Sequence, residues 1–182
     1  GAENLSLIPG EVGATPIQNI GAYGVEVKDI IHTVECIEIA TGQQKTFSNK
    51  ECAFGYRDSI FKQSLRNQYI ICYVTYKLAN IHTPNVDYGS LATEILAYNE
   101  SSIENIRKAV IAIRKRKLPE PKVLGNAGSF FMNPIIPTVH FVELQKAYPE
   151  IPSFHVSDVE IKVPAGWLIE QCGWKGKSIG KV

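Results

Sequence analysis

In the stretch QYIICYVTYKLA, from Gln68 to Ala79, apolar residues fall on alternate positions. Ile70, Cys72, Val74, Tyr76 and Leu78 therefore share one face of a predicted strand. DIIHTVECIEIA is a second, β-branched run. TGQQ after it supplies a turn and KTF a return strand, which predicts a hairpin. The first fifty residues as a whole read as β structure with tight turns. Ser48 and Glu51 have the spacing of a capping box that opens a short helical turn. The period becomes helical in SSIENIRKAVIAIRKRKLP, where Ile103, Ile106, Val110 and Ile113 line one side. Ser101 is the predicted cap, with Glu104 three residues on. The basic run Arg114, Lys115, Arg116, Lys117 suits the negative end of the helix dipole, and Pro119 stops the helix. Two more helices are predicted, in TVHFVELQKAY and in AGWLIEQC, the second closed by Gly173.

Strands first, then a helix, then helices in a segment punctuated by Pro and Gly describe an α+β chain. The composition shifts near residues 117 to 122, which predicts a boundary between a mainly β part, 1–117, and a smaller mixed part, 118–182. Composition adds exclusions. With 182 residues, 45% hydrophobic, 20% charged and a formal net charge of +1, the chain has the balance of a soluble globular protein. Such a balance makes no electrostatic case for nucleic acid or an anionic membrane surface. Apolar runs such as YIICYV are too short to span a bilayer, and no signal-peptide pattern opens the chain. Cys36, Cys52, Cys72 and Cys172 are scattered, as expected of reduced, buried thiols in a cytoplasmic protein. His32, His82, His140 and His155 lack zinc-site spacing, so no metal is expected. The chain opens on GAENLSLIPG and stops at KGKSIGKV without a terminal element, which reads as a piece of something longer.

Three stretches could carry chemistry. LIPGEVGATPIQNIGAYG places glycines at 10, 13, 21 and 24 around a single charge, Glu11. Such a loop brings backbone N–H groups close to a phosphate or a flat ring, and it serves equally well as a set of tight turns. It is neither GxGxxG between strand and helix nor a phosphate-binding GxxxxGK[ST] loop. CAFGYRDSIFK sets Arg57 among Phe54, Tyr56 and Phe61, where its planar fork suits a carboxylate; a surface salt bridge with Asp58 or another acid is the simpler reading. In LGNAGSFFMNP, Ser129 has no neighbouring histidine and is a poor nucleophile. A neutral hydroxyl can instead donate a proton to a carbanion, held by the GNAG turns and walled from water by Phe130 and Phe131. A turn serine bonded to the backbone fits the same residues.

Four stretches taken together go further. IPGEVGATPIQNIGAYGVEV, CAFGYRDSIFK, KLPEPKVLGNAGSFFMNP and KVPAGWLIEQCGWKGKSIG resemble, in that order, the UDP-N-acetylenolpyruvoylglucosamine reductase family (MurB) from residue 5 to residue 180. VDYGSL resembles the tyrosine loop of one subtype. The resemblance implies an α+β flavoenzyme fold: part of the second FAD-binding domain (PCMH and CO-dehydrogenase-flavoprotein-like), with the tyrosine loop near 80–117, then part of the substrate-binding domain. It implies FAD as cofactor, NADPH as cosubstrate, no metal, and UDP-N-acetylglucosamine enolpyruvate as substrate, in bacterial cytoplasmic peptidoglycan synthesis. Neither nucleic acid nor membrane insertion is implied.

By position in the motifs, Ser129 is the proton donor to C2 and Arg57 polarises the substrate carboxylate. Ile8, Pro9, Gly13, Ala14, Thr15, Asn19, Gly21 and Tyr23 match flavin-binding positions. Tyr88, Lys117, Asn133 and Lys175 match positions that hold the UDP-sugar. Nothing in the chain resembles the family's first flavin-binding domain or its C-terminal segment with a glutamate that acts with Arg57. The isolated chain is therefore expected to be inactive. A non-catalytic flavin- or nucleotide-sugar-binding module is the alternative.

Overall fold

The computed structural model describes residues 1–81, 83–125 and 128–179. His82, Asn126 and Ala127 of the GNAG turn, and Gly180 at the end of the last motif lie outside the described residues. The chain forms two compact units, Gly1–Gly125 and Asn126–Val182.

The first unit opens with 3-10 turns at Ala2–Leu5 and Val12–Ala14, not with the strands expected of its first fifty residues. Glycine and proline at 9, 10, 13 and 16 leave too few consecutive extended residues for a strand there. Two short strands follow, β1 (Gly21–Ala22) and β2 (Val25–Glu26). The predicted hairpin is present as β3 (Ile31–Glu38) and β4 (Gln44–Ser48), and β5 (Tyr69–Tyr76) pairs antiparallel on the other side of β3.

The face expected of β5 holds for only half the strand. The pairing shifts register between Ile31 and Thr33, and again between Glu35 and Cys36, where Glu35 faces Tyr73 and Cys36 faces Ile71. Cys72 is the extra residue, and a bulge of this kind reverses the in–out phase beyond it. Val74 and Tyr76 pack on the core as expected, but Tyr69 and Ile71 replace Ile70 and Cys72 there. Ile70 is 57% exposed. The core itself gathers Val27, Ile31, Val34, Cys36, Phe47, Cys52 and Phe61, with Phe47 edge-on to Phe61 and to Tyr69. Ser48 and Glu51 make the reciprocal bonds of a capping box, Ser48 N to Glu51 Oε2 at 2.8 Å and Glu51 N to Ser48 Oγ at 3.4 Å, around a single turn.

A second cluster lies between α1 (Gly89–Glu94) and α2 (Ile103–Lys117). Ile106, Ala109, Val110 and Ile113 are completely buried against Leu91 and Ile95. At about 1.5–3 kcal/mol for each large apolar side chain, that stripe holds α2 in place. The cap is Ser102, not Ser101: its Oγ accepts from Asn105 N at 3.3 Å. Ile103 is then left in the exposed first turn, and Glu104 pairs with Lys108.

The second unit packs α3 (Thr138–Ala147) and α4 (Ala165–Gln171) with a small antiparallel sheet. Its strands β6 (Ile135–Pro137), β7 (Phe154–Ser157) and β8 (Glu160–Lys162) run in the order β6-β8-β7. Phe141, Ile151 and Val163 form its core. Among the described residues no helix is long and apolar enough to cross a membrane.

Candidate functional site

Two of the singled-out stretches of the first unit are bonded to each other. Gly55 and Asp58 exchange both backbone hydrogen bonds, at 3.0 and 3.2 Å, so Tyr56 and Arg57 form the tip of a two-residue turn. Arg57 occupies the left-handed region, φ 54°, a conformation that costs a residue with a Cβ about 1–2 kcal/mol. Buried Cys52 and Phe61 anchor the flanks of this turn. From the tip, Arg57 Nη2 donates to Gly21 O at 2.7 Å and Nη1 to Asn19 O at 3.3 Å, with Glu26 Oε1 3.6 Å away. Of the acids that the simpler reading allowed, Glu26 is the one paired with Arg57, while Asp58 accepts from Ser59 N and Gln63 Nε2. Two of the five N–H donors of the guanidinium thus fix its plane, with the Glu26 carboxylate as the nearby counter-charge.

The glycine-rich loop is shaped for this contact. A Cβ on Gly21 would stand 2.9 Å from Arg57 Nη1 and 2.9 Å from Val25 O, so only glycine fits. Asn19, wholly buried, donates to Gly55 O at 2.8 Å and to Glu26 Oε2 at 3.0 Å, and accepts from Lys28 N. Buried Ser59 donates its hydroxyl to Ile17 O. Thr15 Oγ1 shares a hydrogen bond with the Tyr76 hydroxyl at 2.9 Å. Gly13 and Ala14 open onto a cleft of about 690 Å³ walled by Ile17, Phe61, Leu65, Tyr69 and Ile71, with Lys62 and Arg66 also at its surface. Apolar walls with two cations suit a flat ring system carrying phosphate. Ile8 is half-buried and Pro9 exposed at the loop's entrance.

Tyr23 and Tyr88 meet edge to face, centroids 6.2 Å apart. Burial pushes the Tyr23 phenol above its usual range, against the opposing pull of Arg114, which bonds to it. Arg114 Nε also donates to Leu7 O at 3.2 Å, and Lys117 Nζ lies 3.3 Å from Ser90 Oγ. Tyr88 and Lys117 thus belong to one group with Tyr23. Arg114 was read in the sequence only as part of a basic helix end. Its i, i+3 spacing from Lys117 is the signal that puts both cations on one face of α2.

In the second unit Ser129 is exposed and follows Gly128, φ 69°. Phe130 and Phe131 stack edge-on to each other, 5.1 Å apart, and are 86% and 61% exposed. They do not wall Ser129 from water as expected; the rings bury against each other more than against a core. Asn133 Oδ1 accepts from Ala165 N at 2.9 Å, which ties the MNP segment to the start of α4 and leaves its NH2 as a donor. Lys175, exposed, pairs with Glu170 at 3.0 Å.

Comparison with known proteins bears on this geometry. Residues 120–182 match the family model described as UDP-N-acetylenolpyruvoylglucosamine reductase, C-terminal domain. Over 99% of its length the chain is 52% identical to the UDP-N-acetylenolpyruvoylglucosamine reductase of Flavobacterium johnsoniae and 49% identical to that of Bacteroides fragilis, covering 54% of each. The protein of the same name from Neisseria gonorrhoeae is 49% identical, with 53% covered. The chain spans about half the length of these relatives. The crystal structure of UDP-N-acetylenolpyruvylglucosamine reductase (MurB) from Thermus caldophilus superposes on 99% of the chain and 48% of its own, with a TM-score of 0.59 at 23% identity, a likeness of fold. Over the half of their length that it spans, the chain is similar to the UDP-N-acetylenolpyruvoylglucosamine reductases of these bacteria.

Proposed function

We propose that the chain is part of an enzyme that reduces UDP-N-acetylglucosamine enolpyruvate to UDP-N-acetylmuramate with NADPH through FAD, a cytoplasmic step in making peptidoglycan precursors. The observation that carries this reading is the Arg57 turn, whose side chain bonds to Asn19 O and Gly21 O and whose carbonyl accepts from Lys62, a residue of the cleft that Gly13 and Ala14 open. Residues 1–117 supply part of the second FAD-binding domain and 118–182 part of the substrate-binding domain.

FAD fits the first unit: Gly13 and Ala14 open onto a cleft with apolar walls, and Gly21 and Tyr23 follow in the same glycine-rich loop. Bound FAD, reduced by NADPH, supplies the hydride that reaches the enolpyruvyl carbon. Arg57 meets the substrate carboxylate, where negative charge grows as the hydride arrives, so its fixed fork stabilises the transition state more than the ground state. Ser129 holds the proton that is delivered to C2. Tyr88, Lys117, Asn133 and Lys175 bind the UDP-sugar, whose diphosphate keeps its charge throughout.

Ser129→Ala in the intact protein tests the assignment by stopped flow. Flavin reduction by NADPH stays nearly unchanged, and reoxidation by the enolpyruvyl substrate slows by several orders of magnitude, because only the second half-reaction needs a proton at C2. Equal slowing of both half-reactions assigns Ser129 to flavin geometry and refutes the proton-donor role.

A further inference from the structure

Asn4 falls in none of the stretches singled out in the sequence, yet its side chain is completely buried. Its Nδ2 donates to two carbonyls from distant segments, Tyr23 O at 2.8 Å and Asn85 O at 2.8 Å. Asn85 returns the tie: its own Nδ2 donates to Gly24 O at 3.1 Å. The N-terminal turn, the glycine-rich loop and the tyrosine loop are thus joined at one point. The approach is close: a Cβ on Gly24, φ 79°, would stand 3.0 Å from Asn85 Nδ2.

Three residues beyond Asn85 comes Tyr88, whose ring lies edge-on to that of Tyr23. The carboxamide therefore holds the backbone of Tyr23 and that of Asn85, three residues before Tyr88, while Lys117 bonds to Ser90, two residues after it. Asn4 Oδ1 has no hydrogen-bond partner among the described residues. A buried acceptor left unpaired is a cost to stability, so stability alone is a poor reason for a carboxamide at this position.

We infer that Asn4 is a positioning residue that sets the spacing between the glycine-rich loop and the tyrosine loop, and through it the place of Tyr88 beside Lys117 for a nucleoside diphosphate. The inference rests on the nucleotide-sugar reading above. Without the two bonds the segment leading to Tyr88 loses its tie to the glycine-rich loop, and the spacing of the pair must be set each time ligand binds. That penalty falls on affinity and leaves the later chemistry alone.

The test titrates UDP into the intact protein as wild type, Asn4→Leu and Asn85→Ala, with melting curves and steady-state kinetics in parallel. Asn4→Leu keeps the volume and removes both bonds; Asn85→Ala changes an exposed side chain and is well tolerated by the fold. The expected result is a Kd for UDP at least tenfold weaker in Asn4→Leu and about threefold weaker in Asn85→Ala. KM for the UDP-sugar follows Kd, and kcat stays within twofold. If both variants melt earlier but bind UDP as wild type does, Asn4 serves the fold only and the inference is overturned. If Asn4→Leu fails to fold, Asn85→Ala decides, and wild-type affinity there overturns it. Failure of the wild type itself to bind UDP overturns the nucleotide-sugar reading instead.

Discussion

Replacing Arg57 by alanine and by glycine separates what its backbone costs from what its side chain does. Both variants lose the bonds to Gly21 O at 2.7 Å and to Asn19 O at 3.3 Å. A bond from a charged donor is worth about 1.5–3 kcal/mol. The Asn19 bond is long, and the side chain is 31% exposed and screened by solvent, so a combined loss of about 2 kcal/mol is the expected scale. Alanine inherits the left-handed backbone at φ 54° and glycine is relieved of it. Arg57→Gly is therefore expected to be more stable than Arg57→Ala by about 1 kcal/mol, or roughly 2–4 °C in melting temperature. Activity follows a different order. Both variants lack the fork, so both lose kcat by the same factor, on the order of 10²–10³ for one preorganised charge-stabilising group. Arg57→Lys restores charge without the planar fork and recovers activity only in part. Melting curves and steady-state kinetics on the three variants of the intact protein provide the readout. Equal melting of the alanine and glycine variants refutes the strain argument, and a rise in KM alone refutes the carboxylate role.

Cys36 and Cys52 are buried, and burial, with a neighbouring thiol, pushes them up to about 11 and about 12, whereas Cys72 and Cys172 are exposed. A thiol reagent at pH 8 is expected to modify two cysteines of the native chain quickly and the other two only on unfolding; four equal rates would contradict that burial. The two raised thiols keep their protons in the folded state, whereas in the unfolded chain they ionise near a pKa of about 8.5. Their contribution is complete below that value and is lost as pH rises toward about 12, so denaturant midpoints fall across this alkaline range. Lys117 and Lys175 are exposed and, among the described residues, bond to Ser90 and Glu170. Their alanine variants are expected to raise KM for the UDP-sugar with kcat nearly unchanged and stability within about 0.5 kcal/mol; a fall in kcat alone would assign them elsewhere.

Local pattern was enough for what local forces decide. The β-branched run and its TGQQ turn make the β3–β4 hairpin, and the stripe at 106, 110 and 113 makes α2, because each buries one regular face. Arg57, Ser129 and the glycine-rich loop stood out for residue chemistry that needs no neighbour to be recognised. Tertiary structure decided the rest. Cys72 is squeezed out of register by its pairing with β3, so half of β5 turned its alternate residues outward. Phe130 and Phe131 found no core to join and left Ser129 exposed. Arg57 turned from its sequence neighbour Asp58 to two carbonyls near residue 20, and Asn4 reached Tyr23 and Asn85, 19 and 81 residues away. Periodicity and spacing describe how a segment sees its own neighbours. They carry no record of which distant backbone carbonyl a buried donor will find, and here those long-range bonds are what hold the proposed site in shape.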